Sequence, residues 1–169
     1  MVEWSVAAFR AASVEVVVVA CPPGHALGES EAGQGELRVV EGGETRSQSV
    51  GNALAEVGTE LVAIHDAARP LVTPALIEEV VDALLAEPDA AGAIAATPVT
   101  DTVKQAVQPA QNDPPLAVES TLDRSRLWAA QTPQVFRTDT LRGALEPGGD
   151  AVASATDESM LIEAAGGRV

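Results

Sequence analysis

The chain has four aromatic residues, one cysteine, one lysine and no long apolar run. Each shortage removes a class of reading. Aromatics make up 2% and tyrosine is absent, so Val, Leu, Ile and Ala must build the core. Cys21 stands alone, so no intramolecular disulfide can form. The expectation is a reducing, cytoplasmic setting in which Cys21 is a small buried thiol. The longest uninterrupted apolar run, 16–21, is far too short to cross a bilayer, and the opening MVEW lacks the basic start of a secretory leader. Basic residues are scarce: 10 Lys and Arg face 25 Asp and Glu, for a net charge of −15. That field repels nucleic acid and anionic membrane, but it leaves room for a small phosphorylated ligand held by a few local arginines. Also missing are a G-x-x-x-x-G-K-[ST] phosphate loop, a G-x-G-x-x-G turn and any Cys/His cluster with zinc spacing.

What is present is globular. With 169 residues and 46% hydrophobic content, the chain fits one domain, 1–169, with a sizeable core. VEVVVVA (14–20) is a β-branched run without alternation, as in a parallel strand covered on both faces. LRVV (37–40), LVAI (61–64) and AGAIAAT (91–97) read as further strands. Between them, apolar periodicity predicts helices near 1–12, 45–57 and 74–86; the first would bury Trp4, Ala7, Ala8 and Ala11. The third opens on Thr73-Pro74, a cap followed by proline in the first turn. Alternating strands and helices predict an α/β fold with a mostly parallel sheet. After Pro98 the pattern changes. TDTVKQAV and LAVEST, flanking the proline-broken QPAQNDPP, read as a projecting β-arm over about 99–123. TDTLRGALE and DESMLIEAA read as later helices.

Ligands of open parallel sheets bind beyond the carboxyl ends of the strands. Three polar stretches fall at such ends: EGGETRSQS (41–49), HDAARP (65–70) and TPVTDT (97–102). Gly42 and Gly43 would let backbone approach a flat ligand, with Arg46 and Ser49 on the next helix's first turn; an ordinary capped turn fits the same letters. Asp66 suits a ribose hydroxyl or a metal and Arg69 a phosphate, or the two brace their own loop. His65 fits a structural role as well as a catalytic one. Arg124 and Arg126 fit plain solvation. Thr132-Pro133-Gln134 and Thr156-Asp157-Glu158 offer hydroxyls, and the second also reads as a helix cap.

Taken in order, VVEGGETRSQSV, IHDAARPLVT, PVTDTVK, TLDRSRLWAAQTPQVF and TDESMLIEAAG resemble the 2-C-methyl-D-erythritol 4-phosphate cytidylyltransferases of the non-mevalonate isoprenoid pathway. The resemblance covers nearly the whole chain. It implies a Rossmann-like nucleotidyltransferase fold and transfer of a cytidylyl group from CTP to methylerythritol phosphate, with pyrophosphate leaving and Mg²⁺ or another divalent cation assisting. Gly43, Glu44, Arg46 and Ser49 would surround the cytosine, and Asp66 would lie near ribose and metal. Arg69, Thr102, Thr132 and Thr156 would line the acceptor site. Arg124 would position the acceptor from the arm of a partner subunit in a homodimer. Alternatives are a cytidylyltransferase for another alditol phosphate, such as ribitol 5-phosphate, and an inactive binding or dimerisation remnant.

The resemblance also implies a departure. Family members open on a strand and a glycine-rich loop bearing an arginine and a lysine, and they continue past AAGGRV into a segment with a further lysine. Against that pattern the chain reads as truncated at both ends and without activity as it stands. The missing first strand would lie between 14–20 and 61–64, leaving two apolar edges.

Overall fold

In the computed structural model, residues 2–12, 14–25, 36–107, 116–146, 148, 149, 152 and 154–169 are described. The elements run α1 (Val2–Ala11), β1 (Val16–Cys21), β2 (Glu36–Glu41), α2 (Arg46–Leu54), β3 (Leu61–Ile64), α3 (Pro74–Ala86), β4 (Gly92–Pro98), β5 (Lys104–Ala106), β6 (Val118–Thr121), β7 (Trp128–Arg137), α4 (Thr138–Leu145) and α5 (Glu158–Ala164). The chain divides into two compact units, residues 1–95 with 132–169, and residues 96–131.

In the first unit β1 and β2 pair in parallel, from Val16 opposite Glu36 to Cys21 opposite Glu41. A second sheet has the order β3-β7-β4, with β7 antiparallel to β3. Alternation sorts this sheet into layers. Val135 packs with Val80 and Leu84 of α3, alongside Leu61, Ala63, Ala93 and Ala95. Its neighbour Phe136 faces the other way, onto Leu141 and Ala144 of α4 and Leu161 and Ile162 of α5, alongside Val62, Ile64 and Ile94. Helices therefore cover both faces, as the apolar strands require. Gly92 permits a close approach of strand and ring: a Cβ there would sit 2.3 Å from Phe136 Cδ1.

Strand β7 was not foreseen. Pro133 interrupts its sequence, and a proline argues against a central strand. Here Pro133, which follows a cis peptide bond, lies just outside the four-residue ladder that joins Leu61–Ile64 to Arg137–Gln134, so its missing N–H costs no rung of that ladder. The expected buried face of α1 is also corrected. Trp4 is 65% exposed, while Ser5, Val6 and Phe9 are buried. Phe9 and Ala12 meet Ile77 of α3, which rotates the helix away from the Trp4 face. Cys21 is buried, as expected.

The second unit carries β5 and β6 as an antiparallel pair, Lys104 opposite Thr121, with an irregularity at Gln105/Ala106. Its ends are tied by the Val99 amide donating to the Leu127 carbonyl. The two extended segments of the expected arm are thus strands. Its proline-rich connection, 108–115, lies outside the described residues.

Candidate functional site

Loop 42–45 leaves the end of β2 and enters α2 through a capping box. Thr45 Oγ1 accepts from the Gln48 amide, and the Gln48 side chain accepts from the Thr45 amide. Gln48 Oε1 also takes the Glu44 amide at 2.8 Å, and Ser49 Oγ takes the Gly43 amide at 3.0 Å. The Gly43, Glu44 and Thr45 amides are thus turned inward to α2, while the Gly42 amide donates to the Cys21 carbonyl at 2.7 Å. Gly43 makes this closeness possible, since a Cβ there would lie 2.3 Å from Gln48 Cβ.

The β3–β7 register builds the next part. Carried two residues past Ile64 and Gln134, it sets Asp66 opposite Thr132. Thr132 is buried; its Oγ1 accepts the Asp66 amide at 3.3 Å and lies 2.9 Å from His65 Nδ1. His65 Nε2 is 3.0 Å from the Arg69 carbonyl, which can only accept. Nε2 therefore carries the proton, and the Thr132 hydroxyl donates to Nδ1 of a neutral ring. Burial, which outweighs the favourable Arg69 carbonyl and Asp66 charge, holds the His65 pKa below its ordinary value. His65 clasps the 65–69 loop shut. Its structural reading is the one the geometry favours.

Charge converges on Asp66. Arg46 approaches its Oδ1 with Nε at 3.2 Å and Nη2 at 3.1 Å, while Arg69 Nε stands 3.6 Å from Oδ2. The far end of the Arg46 guanidinium, Nη1, is 2.6 Å from both carboxylate oxygens of Glu158. Glu158 is fully buried in the first turn of α5. Burial alone would lower the Arg46 pKa, but the Glu158 and Asp66 carboxylates more than offset it and raise it. Beside Glu158, Asp157 caps α5 through the Met160 amide and accepts from Gln134 Nε2 at 2.9 Å. Burial pushes the Asp157 carboxyl up. The hydrogen bonds from Gln134, Met160 and Ser159, with the Arg46 charge, outweigh that and hold it below the usual range.

A cavity of about 1160 Å³ opens beside this cluster, lined by Arg46, Ser49, His65, Asp66, Arg69 and Thr156. Its apolar part is bounded by Val16–Ala20 of β1 and Leu61–Ile64 of β3. Consecutive residues of both strands line it, which marks strand edges, since a sheet face would present alternate residues. Among the described residues neither edge pairs with a further strand.

Of the expected site residues, the first unit brings Arg46, Ser49, Asp66, Arg69 and Thr156 onto one cavity, with Thr132 bonded behind Asp66. Gly43 and Glu44 sit on the adjoining loop, tied to α2. Thr102 and Arg124 belong to the second unit, where both are exposed and Arg124 Nη1 donates to the Thr100 carbonyl. Sequence reading missed Glu158 as the partner of Arg46, and Gln134 as the partner of Asp157. An acidic residue in a helix's first turn looks like dipole compensation, and nothing local marks it as buried. No group of three or more His, Cys, Asp or Glu suited to a metal occurs among the described residues. Among them, too, no helix is long and apolar enough to cross a membrane.

The family model for 2-C-methyl-D-erythritol 4-phosphate cytidylyltransferase matches residues 1–169. The chain is 47% identical over 155 residues to the bifunctional enzyme IspD/IspF of Anaeromyxobacter sp. (strain Fw109-5), covering 91% of this chain and 39% of that one. It is 46% identical over 135 residues to the 2-C-methyl-D-erythritol 4-phosphate cytidylyltransferase of Haemophilus influenzae (strain PittGG), covering 79% of this chain and 56% of that one. Its fold matches the crystal structure of the Thermus thermophilus cytidylyltransferase with a TM-score of 0.79 at 32% identity, over 99% of this chain and 75% of that one. The chain thus spans well under two thirds of the length of these two curated relatives.

Proposed function

The chain belongs to the 2-C-methyl-D-erythritol 4-phosphate cytidylyltransferase family, and from that premise we propose that its protein transfers a cytidylyl group from CTP to 2-C-methyl-D-erythritol 4-phosphate in isoprenoid precursor synthesis. A phosphate oxygen of the acceptor forms a bond to the α-phosphorus of CTP, the bond to the β-phosphate oxygen breaks, and pyrophosphate leaves. No protein nucleophile is needed; the residues position the reactants and balance charge. The observation that carries the reading is the cavity rim, where Arg46, Ser49, Asp66, Arg69 and Thr156 meet.

Gly43, Glu44, Arg46 and Ser49 form the cytidine side. The amides of Gly43, Glu44 and Thr45 are taken by Ser49 and Gln48, so the loop's remaining backbone groups are acceptors. Acceptors suit the amino group of cytosine and oppose the carbonyl that uracil has in its place. Asp66 serves the ribose. Arg69 and Thr156 take the acceptor phosphate and its hydroxyls, with Thr132 holding the Asp66 loop from behind; by resemblance Thr102 joins them, and Arg124 acts from the arm of a partner subunit in a homodimer.

Asp66, with no cluster of three or more His, Cys, Asp or Glu ligands among the described residues, fits a Mg²⁺ that would arrive on the nucleotide's phosphates and keep most of its water. Such an ion would supply neutralisation of phosphate charge. The lone buried thiol of Cys21 suits a cytoplasmic protein.

Calorimetry with CTP, UTP and ATP, and pyrophosphate release with methylerythritol phosphate or ribitol phosphate as acceptor, test the reading. CTP is expected to bind at least tenfold more tightly than UTP; equal affinities would overturn the cytidine assignment.

A further inference from the structure

Glu158 is the one fully buried carboxylate among the described residues, and nothing in the proposed reaction uses it. Its partner is Arg46, 112 residues away in sequence. A guanidinium is a planar fork with donors along distinct edges. Here one end, Nη1, is held by both Glu158 oxygens at 2.6 Å. The opposite edge, Nε with Nη2, faces Asp66 Oδ1 at 3.2 and 3.1 Å. Fixing one end of a planar group fixes the direction of the other. With Arg69 on the other Asp66 oxygen, two carboxylates meet two guanidiniums, so the clamp sets the direction of the Asp66–Arg46 contact rather than the sum of charge.

We propose that Glu158 is a positioning residue of this site: it clamps Arg46 so that the guanidinium holds the Asp66 carboxylate in one orientation at the cavity. Because α5 also carries Thr156 and Asp157 at its start, the same clamp ties the acceptor side of the rim to the cytidine side. The proposal rests on the reading of Asp66 as a nucleotide-binding group, and its test separates the two.

The full chain and its variants are titrated with CTP and Mg²⁺ by calorimetry. Glu158→Gln is expected to weaken binding about tenfold, as the removal of a single charge-assisted hydrogen bond would. Asp66→Asn should weaken it as well, and Glu158→Gln added to Asp66→Asn should cost nothing further, because the first acts through the second. Ile162→Val, buried in the same helix, is the control for general loosening of α5 and should leave CTP affinity within twofold. Glu158→Asp keeps the charge and shortens its reach to Arg46 Nη1; it should weaken binding as well, and it replaces Glu158→Gln if that variant does not fold. Wild-type affinity in Glu158→Gln or Glu158→Asp, or losses that multiply with Asp66→Asn, overturn the proposal. If the wild type binds no cytidine nucleotide, the functional reading fails, and the clamp is judged without ligand. The Arg46 Nε–H should then show a rigid heteronuclear NOE in the wild type and a mobile one in Glu158→Gln; an equally rigid signal in both overturns the clamp.

Discussion

Replacing Thr132 by valine removes one oxygen and leaves the shape of the side chain. In the wild type that oxygen accepts the Asp66 amide and donates to His65 Nδ1. Thr132 is 8% exposed, so water cannot readily take over. The amide contact, at 3.3 Å, is long and belongs at the low end of hydrogen-bond values; the imidazole contact, at 2.9 Å, is of full strength. Two lost bonds, each leaving a half-buried partner without its mate, give a destabilisation of about 2–3 kcal/mol. For a chain of this size that corresponds to a fall in Tm of about 4–12 °C. Urea unfolding followed by circular dichroism measures it, and the m-value should not change, because both states keep their exposure. Thr132→Ser keeps the hydroxyl and loses a methyl, so it should cost less than Thr132→Val. Should serine prove as damaging as valine, methyl packing holds the loop and the hydroxyl account is wrong. A valine loss under about 0.5 kcal/mol would refute it equally, since one ordinary hydrogen bond exceeds that.

Asp157 has a native pKa held below its unfolded value, so its contribution to stability is present above about pH 3.9 and is lost as pH falls through the lower native value. The stability gap between wild type and Asp157→Asn, measured by urea unfolding, should be widest near pH 6 and narrow as the pH falls below about 3.9; a gap that widens in acid contradicts the assignment. Gly92→Ala should cost about 1–3 kcal/mol through overpacking, because its Cβ would meet Phe136 Cδ1 at 2.3 Å and the Val135 carbonyl at 3.1 Å. Thermal unfolding reads this directly, and a neutral result would mean that the aromatic ring yields more readily than its full burial suggests.

Local letters made much of the fold legible. The valine run predicted β1, Thr73-Pro74 predicted the start of α3, and LVAI followed by HDAARP placed the charged loop at the end of β3. These signals need only nearest neighbours. Strand β7 was hidden because Pro133 and the mixed run around it carry no strand signal, and its pairing with β3 depends on a segment more than sixty residues away. For the same reason the sequence offered Arg46 as a ligand group and gave no hint that Glu158 holds it. The face of α1 was misread because alanines around Trp4 mimic a core stripe, while the tertiary contact is made by Phe9.

The two sheets of the first unit are tied to each other differently from the strands within each. Loop 42–45 is carried at the end of β2, and Asp66 at the end of β3. Among the described residues no backbone ladder joins the two sheets. Within a sheet, hydrogen bonds fix strand spacing to a fraction of an ångström; across this cleft the spacing is set by side-chain packing and by the reach of Arg46 to Asp66. The distance between loop 42–45 and Asp66 therefore rests on the contacts of one arginine side chain, so shortening Arg46 would free the two sheet ends from each other without breaking a rung of either ladder.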